Sequence, residues 1–232
     1  MRLILRLFPI ILALASCGNA QVKDFWDTHS IDYSDYRAAE DQFAEFAEQA
    51  VAAPVDDACA ALDALFDRLC EDEVAYYIYA EWMDAAFYNL LSPCRNAALY
   101  SKAVDRIVSD GILSMDDCEP YLQKREWILY NQVGEKATVP GVSSIDEKTL
   151  VLVLDLSCPS CREALTKLGE AREWAGYRHI AVGCGHGTAP DVPLWEFVYP
   201  EQADAVFDIH LTPFYFVVAP DGTVTTPYTL AL

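Results

Sequence analysis

The spacing of apolar residues divides the chain into two unlike stretches. Between Asp32 and about Lys136 the pattern is helical. Over Val55 to Cys70, the residues Cys59, Leu62, Leu65, Phe66, Leu69 and Cys70 fall on one stripe, with Asp56, Asp57, Asp63 and Asp67 elsewhere. Val74 to Leu91 is rich in aromatics (Tyr76, Tyr77, Tyr79, Trp82, Phe87, Tyr88) and apolar nearly all round, which predicts a central buried helix stopped at Ser92-Pro93. Asn96 to Val108 predicts another helix, built on Leu99, Val104 and Ile107 and ending near Gly111, a residue suited to a left-handed cap. Ser114 with Asp117 has the form of a capping box opening a last helix over roughly Met115 to Gln132. This stretch reads as an all-helical domain with its own core, assigned to residues 31–135.

Beyond Lys136 the period changes. Thr149 to Leu156 (TLVLVLDL) is a β-branched and leucine run that suits a strand buried on both faces, as in a parallel sheet. Cys158-Pro-Ser-Cys161 follows at once. Arg162 to Trp174 then reads as a helix with Leu165 and Leu168 inward, and His179 to Val182 as a second strand after a turn at Gly176. Later come Ala205 to His210, Thr212-Pro213, the apolar strand Phe214 to Val218, and the turn Pro220-Asp221-Gly222 leading into Thr223 to Thr226. Residues 136–232 therefore form a second domain, whose β-α-β unit carries a Cys-x-x-Cys at the strand-to-helix turn. No helix is predicted after Thr226, so one sheet face needs another cover, expected from the helical domain.

The N-terminal apolar run belongs to neither domain. Met1 to Ser16 (MRLILRLFPIILALAS) sets Arg2 and Arg6 before a stretch too short to span a bilayer, the pattern of a secretory signal peptide. It ends Leu14-Ala15-Ser16-Cys17, which resembles the bacterial lipoprotein box, so Cys17 is expected to become the lipidated first residue. An ordinary signal peptide cut nearby is the plainer alternative. Residues 17–30 would be a linker. Gly18, rather than aspartate, follows Cys17, which leans toward the outer membrane of a Gram-negative envelope.

Composition narrows the classes of function. The 232 residues are 53% hydrophobic and 22% charged, with 10 glycines and 12 prolines, which excludes collagen, a coiled-coil rod and a disordered tail. A formal net charge of −20 argues against nucleic acid or a cationic lipid-binding surface. Most of the acidity lies in the first stretch: residues 17–136 carry net −15 and residues 137–232 net −7. The helical stretch offers no His-carboxylate cluster and no glycine-rich phosphate loop, and its acids read as a solvated surface. Contact with a membrane is expected through the lipid alone.

Eight cysteines then carry most of the chemistry. With Cys158 at the N-cap and Pro159 at the first helical position, Cys158 faces the positive end of a helix dipole, which favours its thiolate and makes it the nucleophile. Cys161, one turn on and more buried, would resolve the mixed disulfide. Asp155, three residues before Cys158, is a candidate acid/base group or a loop tie. Cys184, in Gly183-Cys-Gly-His-Gly187 after a parallel strand, is expected at the same sheet edge as a candidate third thiol. Cys-x-x-Cys with Cys184 and His186 would also suit zinc, but a zinc ribbon needs neither the buried strand before the motif nor the Thr-Pro after it, so the expectation is a dithiol with no metal and no cofactor. Cys59 and Cys70 are too far apart along one helix to bridge each other. They either pair with Cys94 and Cys118 or all four are core thiols.

These residues carry two resemblances. The strand-CPSC-helix unit, Thr212-Pro213 and the hairpin at Asp221-Gly222 resemble a thioredoxin-like fold of the envelope type, over roughly Lys136 to Leu232. Ser92-Pro-Cys-Arg-Asn96 with Leu99-Tyr100 resembles a stretch in an uncharacterised helical domain that precedes thioredoxin-like modules in Gram-negative envelope lipoproteins. The fold class implied is an α/β thioredoxin-like domain preceded by an all-α domain. The first resemblance implies a cis bond before Pro213 that turns the Thr212 backbone toward the dithiol to bind a substrate strand. It also implies thiol-disulfide exchange with a protein substrate and a redox partner. Two departures matter: Ser157 stands where a tryptophan is usual, and Ala164 where many relatives carry an acid. They keep open a binding or scaffold role without turnover.

Overall fold

The computed structural model describes residues 22–31, 34–185 and 192–231. The expected signal segment, Cys17 and His186 lie outside them. The described part opens with a 3-10 turn (Val22–Asp24) and the short α1 (Phe25–Thr28), then runs through α2 (Tyr36–Ala52), α3 (Val55–Leu69) and α4 (Glu73–Met83). A π-helical turn (Asp84–Tyr88), α5 (Ala97–Ser109) and α6 (Met115–Leu129) complete the helical part. After it come β1 (Thr149–Asp155), α7 (Pro159–Glu170), β2 (Arg178–Cys184), β3 (Glu196–Val198), β4 (Phe214–Val218) and β5 (Thr229–Leu230).

The helices start where side chains can satisfy free backbone N–H groups. Asp72 Oδ1 accepts from the N–H groups of Val74 and Ala75, and Asn96 Oδ1 from those of Ala98 and Leu99. Ser114 Oγ accepts from the Asp117 N–H at 3.2 Å and donates to its carboxylate at 2.6 Å, so the expected box is present. Gly111 takes φ +66° after α5, as its place predicts. The predicted helix over Val74 to Leu91 is the largest departure, because it leaves α geometry after Met83 and ends in the π turn. The helical core gathers Phe43, Phe46, Leu62, Leu65, Phe66, Tyr76, Tyr79 and Phe87 around the buried Trp26. Cys94 and Cys118 are buried in it, Cys59 is half-buried against it and Cys70 is exposed; all four are free thiols, so the bridging alternative does not hold in this structure, and the core-thiol alternative fails at Cys70.

The five-stranded sheet has the order β3-β2-β1-β4-β5. β1, β2 and β3 run parallel, and β4 and β5 antiparallel to their neighbours. β1 is central, with its first six residues buried, which is what an uninterrupted apolar run requires. Alternation along the strands splits the core into two layers. Leu150, Leu152, Leu154, Ala181 and Val217 face α7, while Val151, Val153, Ile180, Val182, Phe214, Phe216 and Val218 face the other way.

That second face corrects the expected cover. Ala203, Val206 and Phe207, from the segment between β3 and β4, lie on it together with Tyr228. The helical part reaches this layer at its margin, through Leu90 and Tyr130. It is fastened by polar contacts instead: Tyr88 to Asp208, Trp127 to the Asp204 carbonyl, and Asn131 to the Tyr228 hydroxyl. A short returning segment with one large aromatic covers this face, and the helices hold that segment in place.

Candidate functional site

β1 ends at Asp155 and the chain turns directly into α7. Pro159 occupies the first helical position, where a missing N–H leaves nothing unpaired, and Cys158 is the N-cap with extended backbone. Cys158 thus sits at the positive end of the α7 dipole. Its Sγ lies 2.9 Å from the Ser160 hydroxyl. The thiol makes no N-cap hydrogen bond of good geometry, but the N–H groups of Ser160 and Cys161 stand close enough to favour the thiolate. The Ser160 hydroxyl, then the backbone and thiol of Cys161, lower the Cys158 pKa to about 7.

Cys161 is 0% exposed, in the layer between α7 and the sheet. Burial pushes its thiol up to about 11, and the neighbouring Cys158 sulfur adds to the rise; the Asp155 backbone and the Thr212 side chain act the other way. Both cysteines are free thiols. The peptide bond between Thr212 and Pro213 is cis, as the resemblance implied. It lies between a 3-10 turn (Ile209–Leu211) and β4. The Thr212 hydroxyl donates to the Ile209 carbonyl at 2.9 Å and also lies against Cys161.

Asp155 ties the loop. Its Oδ1 accepts from both the N–H and the hydroxyl of Ser157 at 2.8 Å each. Ser157, where a tryptophan is usual, therefore closes an Asx-type turn. Gly185 passes beside the same carboxylate: its φ is +72°, and a Cβ there would stand 2.9 Å from Asp155 Oδ1.

Cys184 pairs with Asp155 in the β1–β2 register and is buried, on the face opposite Cys161. Burial first, then Asp155, Asp204 and Cys161, push its thiol up to about 12, so it is protonated at neutral pH. It borders a cavity of about 370 Å³ with Tyr199, Glu201 and Asp204. Among the described residues no three metal-ligating side chains come together. The structure thus gathers Cys158, Cys161, Thr212, Pro213 and Asp155 at one end of the sheet, with Cys184 beneath. Ser160 is the site residue that motif reading misses, although a hydroxyl two residues after an N-cap thiol is itself the signal.

No protein-family model and no curated protein sequence matches the chain. Among solved structures it is similar to a thioredoxin-like protein from Bacteroides caccae, with a TM-score of 0.68 at 15% sequence identity. The match covers 90% of this chain and 87% of that one. The fold is thioredoxin-like. Coverage of that extent cannot be filled by the sheet-bearing residues 136–232 alone, so the shared architecture runs into the helices that precede the thioredoxin-like sheet. In this thioredoxin-like setting Ala164 faces the core at 2% exposure, where the carboxylate of an acid would lose its hydration.

Proposed function

We propose that this protein is a lipid-anchored envelope protein that carries out thiol-disulfide exchange through Cys158 and Cys161. The observation that carries the reading is the asymmetry of the pair: a half-exposed thiol with its pKa lowered to about 7 beside a buried one held up at about 11. The Cys158 thiolate attacks one sulfur of a protein disulfide, and the other substrate sulfur leaves as a thiolate and takes up a proton. Cys161 then attacks the Cys158 sulfur, releasing the second substrate thiol and closing the Cys158–Cys161 disulfide. The order is built in. Once Cys158 is in the mixed disulfide it carries no charge, so the part of the Cys161 pKa rise that comes from Cys158 is gone when Cys161 must ionise. The cis Thr212–Pro213 loop would receive the substrate strand, as in the fold that it resembles.

Alkylation tests the first step. With limiting iodoacetamide and peptide mapping, the rate at Cys158 is expected to rise with pH through a midpoint near 7 and level off above it, because only the thiolate reacts. A midpoint near 8.5, with no turnover of an insulin disulfide, would remove the enzymatic reading. The anchor is tested separately. Full-length protein expressed in a Gram-negative host is expected in the membrane fraction with a diacylglyceryl mass on Cys17, and Cys17→Ala is expected to move it to the soluble fraction; equal partition of both would refute the anchor.

A further inference from the structure

The segment leading into the cis-proline is gripped by the helical part. The Tyr88 hydroxyl donates to Asp208 Oδ2 at 2.6 Å in a buried contact. The other carboxylate oxygen of Asp208 accepts from the His210 N–H at 3.0 Å, capping the turn Ile209–Leu211. Leu211 packs against both the helical core and the sheet core. Upstream, the Trp127 indole donates to the Asp204 carbonyl at 2.6 Å. The turn ends on Thr212, whose hydroxyl lies against Cys161. A continuous chain of bonded and packed groups therefore runs from helix to dithiol: Tyr88, Asp208, the Ile209–Leu211 turn, Thr212, Cys161.

An irregularity aims Tyr88 into this chain. At the end of the π turn the Asn89 N–H donates to the Asp84 carbonyl, five residues back. One extra residue in a turn rotates the residues after it by roughly 100° relative to a continued α-helix. The Tyr88 ring still packs on Tyr100, with centroids 5.1 Å apart, and its carbonyl is held by Arg95 Nε at 3.0 Å. Ring and backbone thus belong to the helical core, and the hydroxyl belongs to the thioredoxin-like part.

We infer that Tyr88 is a positioning residue for the dithiol: through Asp208 it fixes the Ile209–Leu211 turn and holds the Thr212 hydroxyl where it assists attack by Cys161 on the mixed disulfide. The inference rests on the exchange reading above and assigns the helical part a role in the resolving step, with the first step left to α7. While Cys161 is protonated, the Thr212 hydroxyl donates to the Ile209 carbonyl. When Cys161 ionises, the same hydroxyl can turn to the sulfur, but only if the turn keeps it there.

The test uses full-length reduced protein and glutathione disulfide. Attack by Cys158 forms the Cys158–glutathione disulfide and releases one glutathione; attack by Cys161 releases the second and closes the protein disulfide. Acid quenching and peptide mass spectrometry follow both steps. Tyr88→Phe keeps the ring and is expected to slow resolution roughly threefold or more, while the rate and pH midpoint of the first step stay unchanged. Tyr76→Phe is the control, because it removes a hydroxyl bonded to the Arg106 carbonyl and to Asp110 within the helical part, and it is expected to resolve at the wild-type rate. Asp208→Asn is expected to slow resolution too, and the double variant no further than Asp208→Asn alone. Resolution at the wild-type rate in Tyr88→Phe, or equal slowing in Tyr76→Phe, overturns the inference. If Tyr88→Phe does not fold, Asp208→Asn carries the same comparison. Failure of the wild-type protein to form any Cys158–glutathione disulfide would instead remove the exchange reading on which the inference stands.

Discussion

Cys158→Ser is expected to abolish disulfide exchange, lowering turnover on the order of a thousandfold or more, whereas Cys161→Ser is expected to keep the first attack and stop there. At pH 7 about half of the Cys158 population is thiolate, since its pKa is about 7. Cys161, at about 11, is ionised in about one molecule in ten thousand before Cys158 is consumed. Only Cys158 can open the reaction, and the two variants must therefore differ in kind. Cys161→Ser incubated with a disulfide-bonded peptide should accumulate a covalent adduct of peptide mass on Cys158, visible in intact-mass spectra and lost on reduction. Cys158→Ser should show no adduct within the dithiol. If the adduct forms on Cys161, or equally in both variants, the assigned roles are wrong.

The largest structural effect is expected at Phe207. It is 0% exposed and its ring meets those of Phe214, Phe216 and Tyr228 at 6.1, 6.2 and 6.4 Å. It is the main side chain that the segment between β3 and β4 lays on the sheet face opposite α7. Phe207→Ala should cost about 3–5 kcal/mol, the usual range for deleting a buried aromatic whose cavity does not collapse. Urea denaturation would read this as a lower midpoint at unchanged slope. Because Asp208 follows directly, any folded fraction should also resolve mixed disulfides more slowly than wild type. A midpoint shift equivalent to less than about 1 kcal/mol would mean that another group covers this face.

The elements with a strong local signal were legible in the sequence. β1, β4, α3, α5 and the Cys158-Pro159 helix start fall within a residue or two of where period and caps put them, because the helices close their backbone bonds locally and bury one stripe, while β1 and β4 are apolar runs bounded by polar or turn residues. What periodicity could not show is what depends on tertiary partners. β3 is three residues long and owes its existence to pairing with β2. The π turn at Asp84–Tyr88 is invisible in a helix that is apolar all round, since no face marks where the register slips. The same holds at the site. Cys158, Cys161, Thr212 and Pro213 stand out by motif and spacing, and the loop-tying role of Asp155 by its position. Asp208 reads as one acid among many, because its meaning lies in a contact with Tyr88, 120 residues away in the chain.

The outer strands of the sheet have a consequence for how the protein behaves in numbers. β3 spans three residues and β5 two. A sheet recruits another sheet through rows of unused backbone donors and acceptors, and rows this short hold only a bond or two. The Ala231 N–H is given to the Pro213 carbonyl, on the β4 side of the ladder. Copies crowded side by side at high local density would meet through side chains and a net charge of −20, with little backbone to zip together.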